Sequence, residues 1–188
     1  MRVIAGDKRG LVLFSPSDEA VRPTSDKIKG AIFNSLQNRL PEVSVFVDVF
    51  GGSGAMGIEA LSRGVDRAWF FDTAKASINL INKNLNKAGY TDRARVLHMS
   101  AAAGLDRMAA AGVTGDLFFM DPPYRMGDAI PELMTKIFHK KLLNRGGIIV
   151  IEHEKNVIIP KVVCGFELTR EKTYGITCIS MYEAIDEE

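Results

Sequence analysis

Cysteine is scarce in this chain: Cys164 and Cys178 are the two among 188 residues. They show no metal-ligand spacing and make no disulfide framework, which points to a reducing cytoplasm rather than a stapled secreted scaffold. Long apolar runs are also missing. The longest, Gly147–Ile151 and Asp116–Met120, are strand-length, against about 20 residues for a membrane span. The opening Met1-Arg2-Val3-Ile4-Ala5-Gly6 leads into Asp7-Lys8-Arg9-Gly10, without the apolar core and cleavage site of a signal peptide. No charge sign dominates: 24 basic against 23 acidic side chains leave a net charge of +1, so bulk charge does not single out a nucleic-acid binder. His98, His139 and His153 are scattered without ligand spacing, so no metal site is expected. Ser53 has no histidine and acid arranged with it as a triad, which disfavours a hydrolase.

What is present is ordinary for one globular domain over 1–188. Hydrophobic residues make up 46 % and charged residues 25 %, enough to bury a single core. Two strand-like runs, Arg2–Ala5 and Leu11–Phe14, predict an N-terminal hairpin. Thr24 or Ser25 then caps a helix with Ile28, Ile32, Phe33 and Leu36 on one face, ended by Pro41. Residues 1–41 thus form an appendage to a core at 42–188. In that core, strands and helices alternate. Strands are expected at Val45–Phe50, Arg67–Phe71, Ala94–Met99, Asp116–Met120 and Gly147–Ile151, and helices at Ser53–Arg63, Ala74–Ala88, Ala101–Ala111 and Ala129–Leu142. Such alternation predicts an α/β fold, a doubly wound and mostly parallel sheet. Phe166–Thr173 and Thr177–Glu183 follow with no helix between them, an antiparallel hairpin at the sheet edge.

Three constellations carry chemistry. Asp48-Val49-Phe50-Gly51-Gly52-Ser53-Gly54 ends the first parallel strand, where such sheets bind ligands. Its glycines match a dinucleotide fingerprint, a weak signal that a plain strand-to-helix turn also satisfies. Asp72, ending the second strand, suits the two hydroxyls of a ribose. Both NAD and S-adenosylmethionine would fit that pair. Asp48 separates them, because an acid beside the glycines repels a pyrophosphate and attracts an ammonium and a sulfonium. Asp121-Pro122-Pro123-Tyr124 follows the fourth strand. Two prolines fix the backbone and remove N–H donors, leaving the Asp121 carboxylate and the Pro122 carbonyl as acceptors for an exocyclic amine. Tyr124 offers a stacking surface for a base taken out of its helix.

These residues resemble those of class I amino-methyltransferases, and the whole chain to about Glu183 is similar to the RsmD-type methyltransferases, which modify guanine N2 in 16S ribosomal RNA. The likeness extends through Arg22-Pro23-Thr24, Ala31-Ile32-Phe33-Asn34, the run Gly52–Gly64 and Tyr174-Gly175. It implies S-adenosylmethionine as cofactor, held by Asp48, Phe50, Gly51, Gly52 and Gly54, by Asp72 and Thr73 at the ribose, and by Ser100 and Ala101. Ser100 stands where the family usually carries an acid, and Gly30 where it usually carries Glu in the N-terminal helix. The resemblance makes Asp121, Pro122, Pro123 and Tyr124 the catalytic turn, and Arg2, Arg22, Thr24, Lys27 and Lys29 the contacts to RNA. The implied partner is 16S ribosomal RNA in the small subunit or its precursor. The turn chemistry alone also serves a DNA methyltransferase acting on adenine N6 or cytosine N4. A non-catalytic RNA-binding assembly factor could keep the same fold.

Overall fold

The computed structural model describes residues 1–16, 24–123 and 129–185. Arg22 and Tyr124, both expected at the site, lie outside them. Strands β1 (Val45–Asp48), β2 (Arg67–Asp72), β3 (Ala94–His98), β4 (Gly115–Met120) and β5 (Leu143–Glu154) run parallel. Strands β6 (Val162–Val163), β7 (Phe166–Tyr174) and β8 (Thr177–Ala184) join antiparallel, in the order β3-β2-β1-β4-β5-β8-β7-β6. The expected α/β sheet with a terminal hairpin is therefore present.

Period-two alternation builds both faces. Phe46, Phe70, Phe119 and Val150 enter one apolar cluster, and their neighbours Val47, Phe71, Phe118 and Ile149 enter the other. Both sides are apolar because helices cover both. Helices α1 (Asp26–Ser35), α2 (Ala55–Ser62) and α3 (Lys75–Ala88) supply the first cluster. Helices α4 (Ala101–Ala110) and α5 (Ala129–His139) supply the second. Trp69 is partly buried against the second cluster, packing edge-on to Phe71.

Several expectations change at the ends of elements. The N-terminal hairpin is short: around the Arg2–Val12 bridge, the amides of Val3, Gly10 and Leu13 donate to the carbonyls of Leu11, Val3 and Met1, and α2 also holds its backbone. The Glu59 carboxylate accepts from the amides of Ile4 (2.8 Å) and Ala5 (3.1 Å), and Ser62 Oγ accepts from Lys8. Helix α1 starts at the Ser25 cap, whose hydroxyl accepts from the Ile28 amide. It stops at Ser35, so Pro41 falls in a separate single turn, Leu40–Glu42. Strand β5 runs past Ile151 to Glu154, because β8 pairs with it as far as Glu154 opposite Thr177.

Lys29 corrects a functional expectation. It was expected to meet RNA phosphates, yet its side chain is 0 % exposed. Its ammonium lies 3.3 Å from Glu59 and donates to the Arg2 carbonyl at 2.6 Å. Burial pushes the Lys29 ammonium down from its ordinary value, against the pull of Glu59. Arg63 also donates to Glu59 at 2.7 Å while its guanidinium lies over the Phe33 ring. Lys29 and Glu59 therefore bolt the N-terminal segment and α1 to α2.

Candidate active site

The strand order reverses direction between β1 and β4, and the crevice beyond the strand ends at such a point is where open α/β sheets take ligands. A cavity of about 930 Å³ lies there, at the large end of the range for ligand pockets, about 300–1,000 Å³. Five acids share its wall: Asp48, Asp72, Asp121, Glu152 and Glu154. Sheet register explains the convergence. Asp48, Asp72, Asp121 and Glu152 each follow, by one residue, a member of the second apolar cluster (Val47, Phe71, Met120, Ile151). All four side chains therefore belong to the opposite face, the one covered by α1, α2 and α3.

The turn after β1 brings backbone against this pocket. The Gly51 amide donates to the Phe71 carbonyl at 2.7 Å, and a Cβ at Gly51 would stand 2.8 Å from Ile81 Cδ1. Gly54 enters α2 in a left-handed conformation, φ +79°, which suits glycine. That turn delays the helix two residues beyond the expected start at Ser53 and keeps Gly54 off the cavity wall, where Phe50, Gly51 and Gly52 do lie. Asp72 holds the turn from the other side, accepting from the amides of Gly52 (2.9 Å) and Ala74 (2.8 Å). Each oxygen of that carboxylate keeps a second lone pair for a ligand hydroxyl.

Asp48 is 1 % exposed, and its Oδ1 has no hydrogen-bond partner among the described residues. Burial, then Asp121 and Asp72, push its carboxyl well above the ordinary range, with the Gly57 amide opposing. A buried acceptor with nothing to accept is costly unless a donor arrives. A cationic ligand meets that need and a pyrophosphate does not. The residues therefore fit the ammonium and sulfonium groups of S-adenosylmethionine.

Asp121, Pro122 and Pro123 line the same cavity. Burial and the nearby Glu152 carboxylate push Asp121 up to about 8. Glu152 is also raised by burial, opposed by a hydrogen bond from Thr24 Oγ1 to Oε2 at 2.8 Å. Glu152 carries no motif in the sequence and was not foreseen. Its signal is positional, since Met120 pairs with Ile151 and the next residues on the two strands are Asp121 and Glu152.

Thr73, Ser100, Ala101 and Thr24 also line the cavity. Ser100 caps α4, accepting from the Ala103 amide at 3.3 Å, and the Thr73 carbonyl is paired with His98 Nε2 at 2.9 Å. Thr24 faces inward onto Glu152, while Lys27 is exposed and Arg2 hydrogen-bonds Asp26 through its amide. His153 also lines the wall, its ring 2.8 Å from the Glu154 carbonyl and 2.9 Å from Ser180 Oγ. His153, Glu171 and Cys178 bring ligand-type atoms within 4.8 Å of one another, a grouping that the sequence spacing hid. The Ser180 hydroxyl, 2.9 Å from His153 and 3.1 Å from Glu171, brings those two together, and Cys178 lies opposite His153 in the β5–β8 register.

The family described as conserved hypothetical protein 95 matches residues 1–183. The chain belongs to this family, that of the RsmD-type methyltransferases. It is 36 % identical to the Bacillus subtilis protein YlbH over 97 % of this chain and 98 % of that one. It is 32 % identical to ribosomal RNA small subunit methyltransferase D of Escherichia coli, over 97 % of this chain and 89 % of that one. Among solved structures, Escherichia coli yhhF superposes with a TM-score of 0.85 at 28 % identity, covering 100 % of this chain and 99 % of that one. The fold is that of a class I methyltransferase.

Proposed function

We propose that this protein transfers a methyl group from S-adenosylmethionine to the exocyclic N2 of a guanine in 16S ribosomal RNA, within the small subunit or its precursor. The observation that carries the reading is the unpartnered, buried Asp48 oxygen in one cavity with the Asp121-Pro122 turn. The small-subunit methyltransferase to which the chain is similar supports the choice of ribosomal RNA.

S-adenosylmethionine supplies, when bound, a methyl group on a sulfonium that departs as a neutral thioether. Asp48 and the backbone of Phe50–Gly52 would hold its amino-acid part, and Asp72 its ribose. The Asp121 carboxylate and the Pro122 carbonyl accept the two N–H bonds of the base amine. An amine lone pair is ordinarily delocalised into the ring, and holding both N–H bonds localises and aims it. The gain comes from orientation and fixed dipoles. Once N2 has used its lone pair to bond the methyl carbon, it carries a surplus proton. Asp121 receives that proton in its ionised form, so with its carboxyl raised to about 8 transfer is expected to climb as pH rises towards that value.

The appendage is small, so a structured particle that presents the target loop supplies the remaining selectivity. Asp121→Ala tests the mechanism. Transfer is expected to fall by at least about 100-fold, the scale of losing a transition-state hydrogen-bond partner. Titration calorimetry should still detect S-adenosylmethionine binding. Undiminished transfer by this variant would overturn the role given to the turn.

A further inference from the structure

The Asp121 turn offers acceptors to any exocyclic amine, so it does not choose between guanine, adenine and cytosine. The choice needs a group that reads the ring atom beside the amine. Guanine carries a donor there, N1–H, whereas adenine N1 and cytosine N3 carry a lone pair. We infer that Glu152 is that reader: its carboxylate accepts from guanine N1–H while Asp121 and Pro122 hold N2. This rests on the reading proposed above and gives that site its base specificity.

Three observations place Glu152 for the task. It stands on β5 directly beside Asp121, one step beyond the Met120–Ile151 pair, and adjacent strands lie about 4.8 Å apart. That spacing sets two carboxylates along one edge of one base. Its side chain shares a face and a cavity with Asp121. Thr24 donates to Oε2 at 2.8 Å, and among the described residues Oε1 takes no other donor. One oxygen is thus anchored and the other left for a ligand. The anchor comes from the appendage, which would couple base selection to docking of the N-terminal segment. An ionised carboxylate at this place repels the lone pair of adenine or cytosine, so it selects by rejection as well as attraction.

The test replaces the modified guanine by 2-aminopurine, which keeps the amine but has a lone pair at N1. Methyl transfer is measured for wild type and Glu152→Gln on particles carrying each base, with S-adenosylmethionine affinity and melting temperature as folding readouts. Wild type should prefer guanine by about 10- to 100-fold, the scale of one specific base contact. Glu152→Gln should lose most of that preference, because the amide can donate to the 2-aminopurine N1. Thr24→Val, which only frees the carboxylate, should shift the ratio the same way by a smaller factor, and it carries the test should Glu152→Gln fail to fold. N2-methylguanosine from wild type with a base ratio unmoved by either variant would overturn this inference alone. A wild-type product on another base would overturn the underlying reading, and this inference with it.

Discussion

Removing the Glu59 carboxylate should unfasten the appendage and destabilise the whole protein. Glu59 is 0 % exposed and touches four donors: the amides of Ile4 and Ala5, the Arg63 guanidinium at 2.7 Å and the Lys29 ammonium at 3.3 Å. Glu59→Ala leaves a buried ammonium without its counter-charge, a loss of about 3–5 kcal/mol. Two amides also lose their acceptor, each at about 1–3 kcal/mol if water does not reach them. With both amides left dry the total is at least about 5 kcal/mol, a large share of the roughly 5–15 kcal/mol that holds a domain together. For a chain of this size that corresponds to a fall in melting temperature of roughly 10–20 °C. Lys29→Met is the control. It removes the buried cation but leaves Glu59 with Arg63 and both amides, so it should cost less than half as much. The assay is urea unfolding followed by Trp69, the one tryptophan of the chain, with circular dichroism as a second probe. A Glu59→Ala loss under about 1 kcal/mol, or a Lys29→Met loss as large as that of Glu59→Ala, would refute the reasoning.

Other consequences follow from the acid cluster and the packing beneath it. Asp48→Asn should leave the free protein at least as stable while weakening S-adenosylmethionine binding by about 10- to 100-fold, the worth of a hydrogen bond to a charged group; thermal unfolding reads the first arm and titration calorimetry the second. The fold favours the protonated form of Asp121, so the stability this lends is complete below the ordinary carboxylate range and is lost as pH rises through about 8. Scanning calorimetry should show the free protein melting lower at high pH than near neutrality, and Asp121→Asn should flatten that slope. Gly57→Ala would set a Cβ 2.3 Å from Phe70 Cε1 in a fully buried ring. Overpacking of this kind costs about 1–3 kcal/mol, visible as a lower melting temperature.

Much of the site was legible because its chemistry is local in the chain. Asp48 and Asp72 each end an apolar strand and Asp121 directly follows one, and the neighbours of each carry the motif from which its proposed role was read. Glu152 was not legible in that way. It lies in Ile-Ile-Val-Ile-Glu-His-Glu with no motif, and only the pairing of β5 with β4 brings it to Asp121. Lys29 was expected as an RNA contact, although the signal of its burial was present: positions 29, 32, 33 and 36 share one helical face, and Ile32, Phe33 and Leu36 are buried there with it. A charge on an apolar stripe announces a buried partner, but that partner, Glu59, lies on another helix. Element ends were displaced where tertiary contacts decide them, as at the Gly54 turn and in the extension of β5 along β8.

The most direct measurement is methyl transfer from labelled S-adenosylmethionine to small ribosomal particles that lack native modification, with free 16S RNA and duplex DNA alongside, followed by nucleoside analysis. The proposed function predicts label in N2-methylguanosine, from the particles in preference to the free RNA and none from DNA. Label in N6-methyladenine or N4-methylcytosine, or no label in the presence of a well-bound cofactor, would contradict the account.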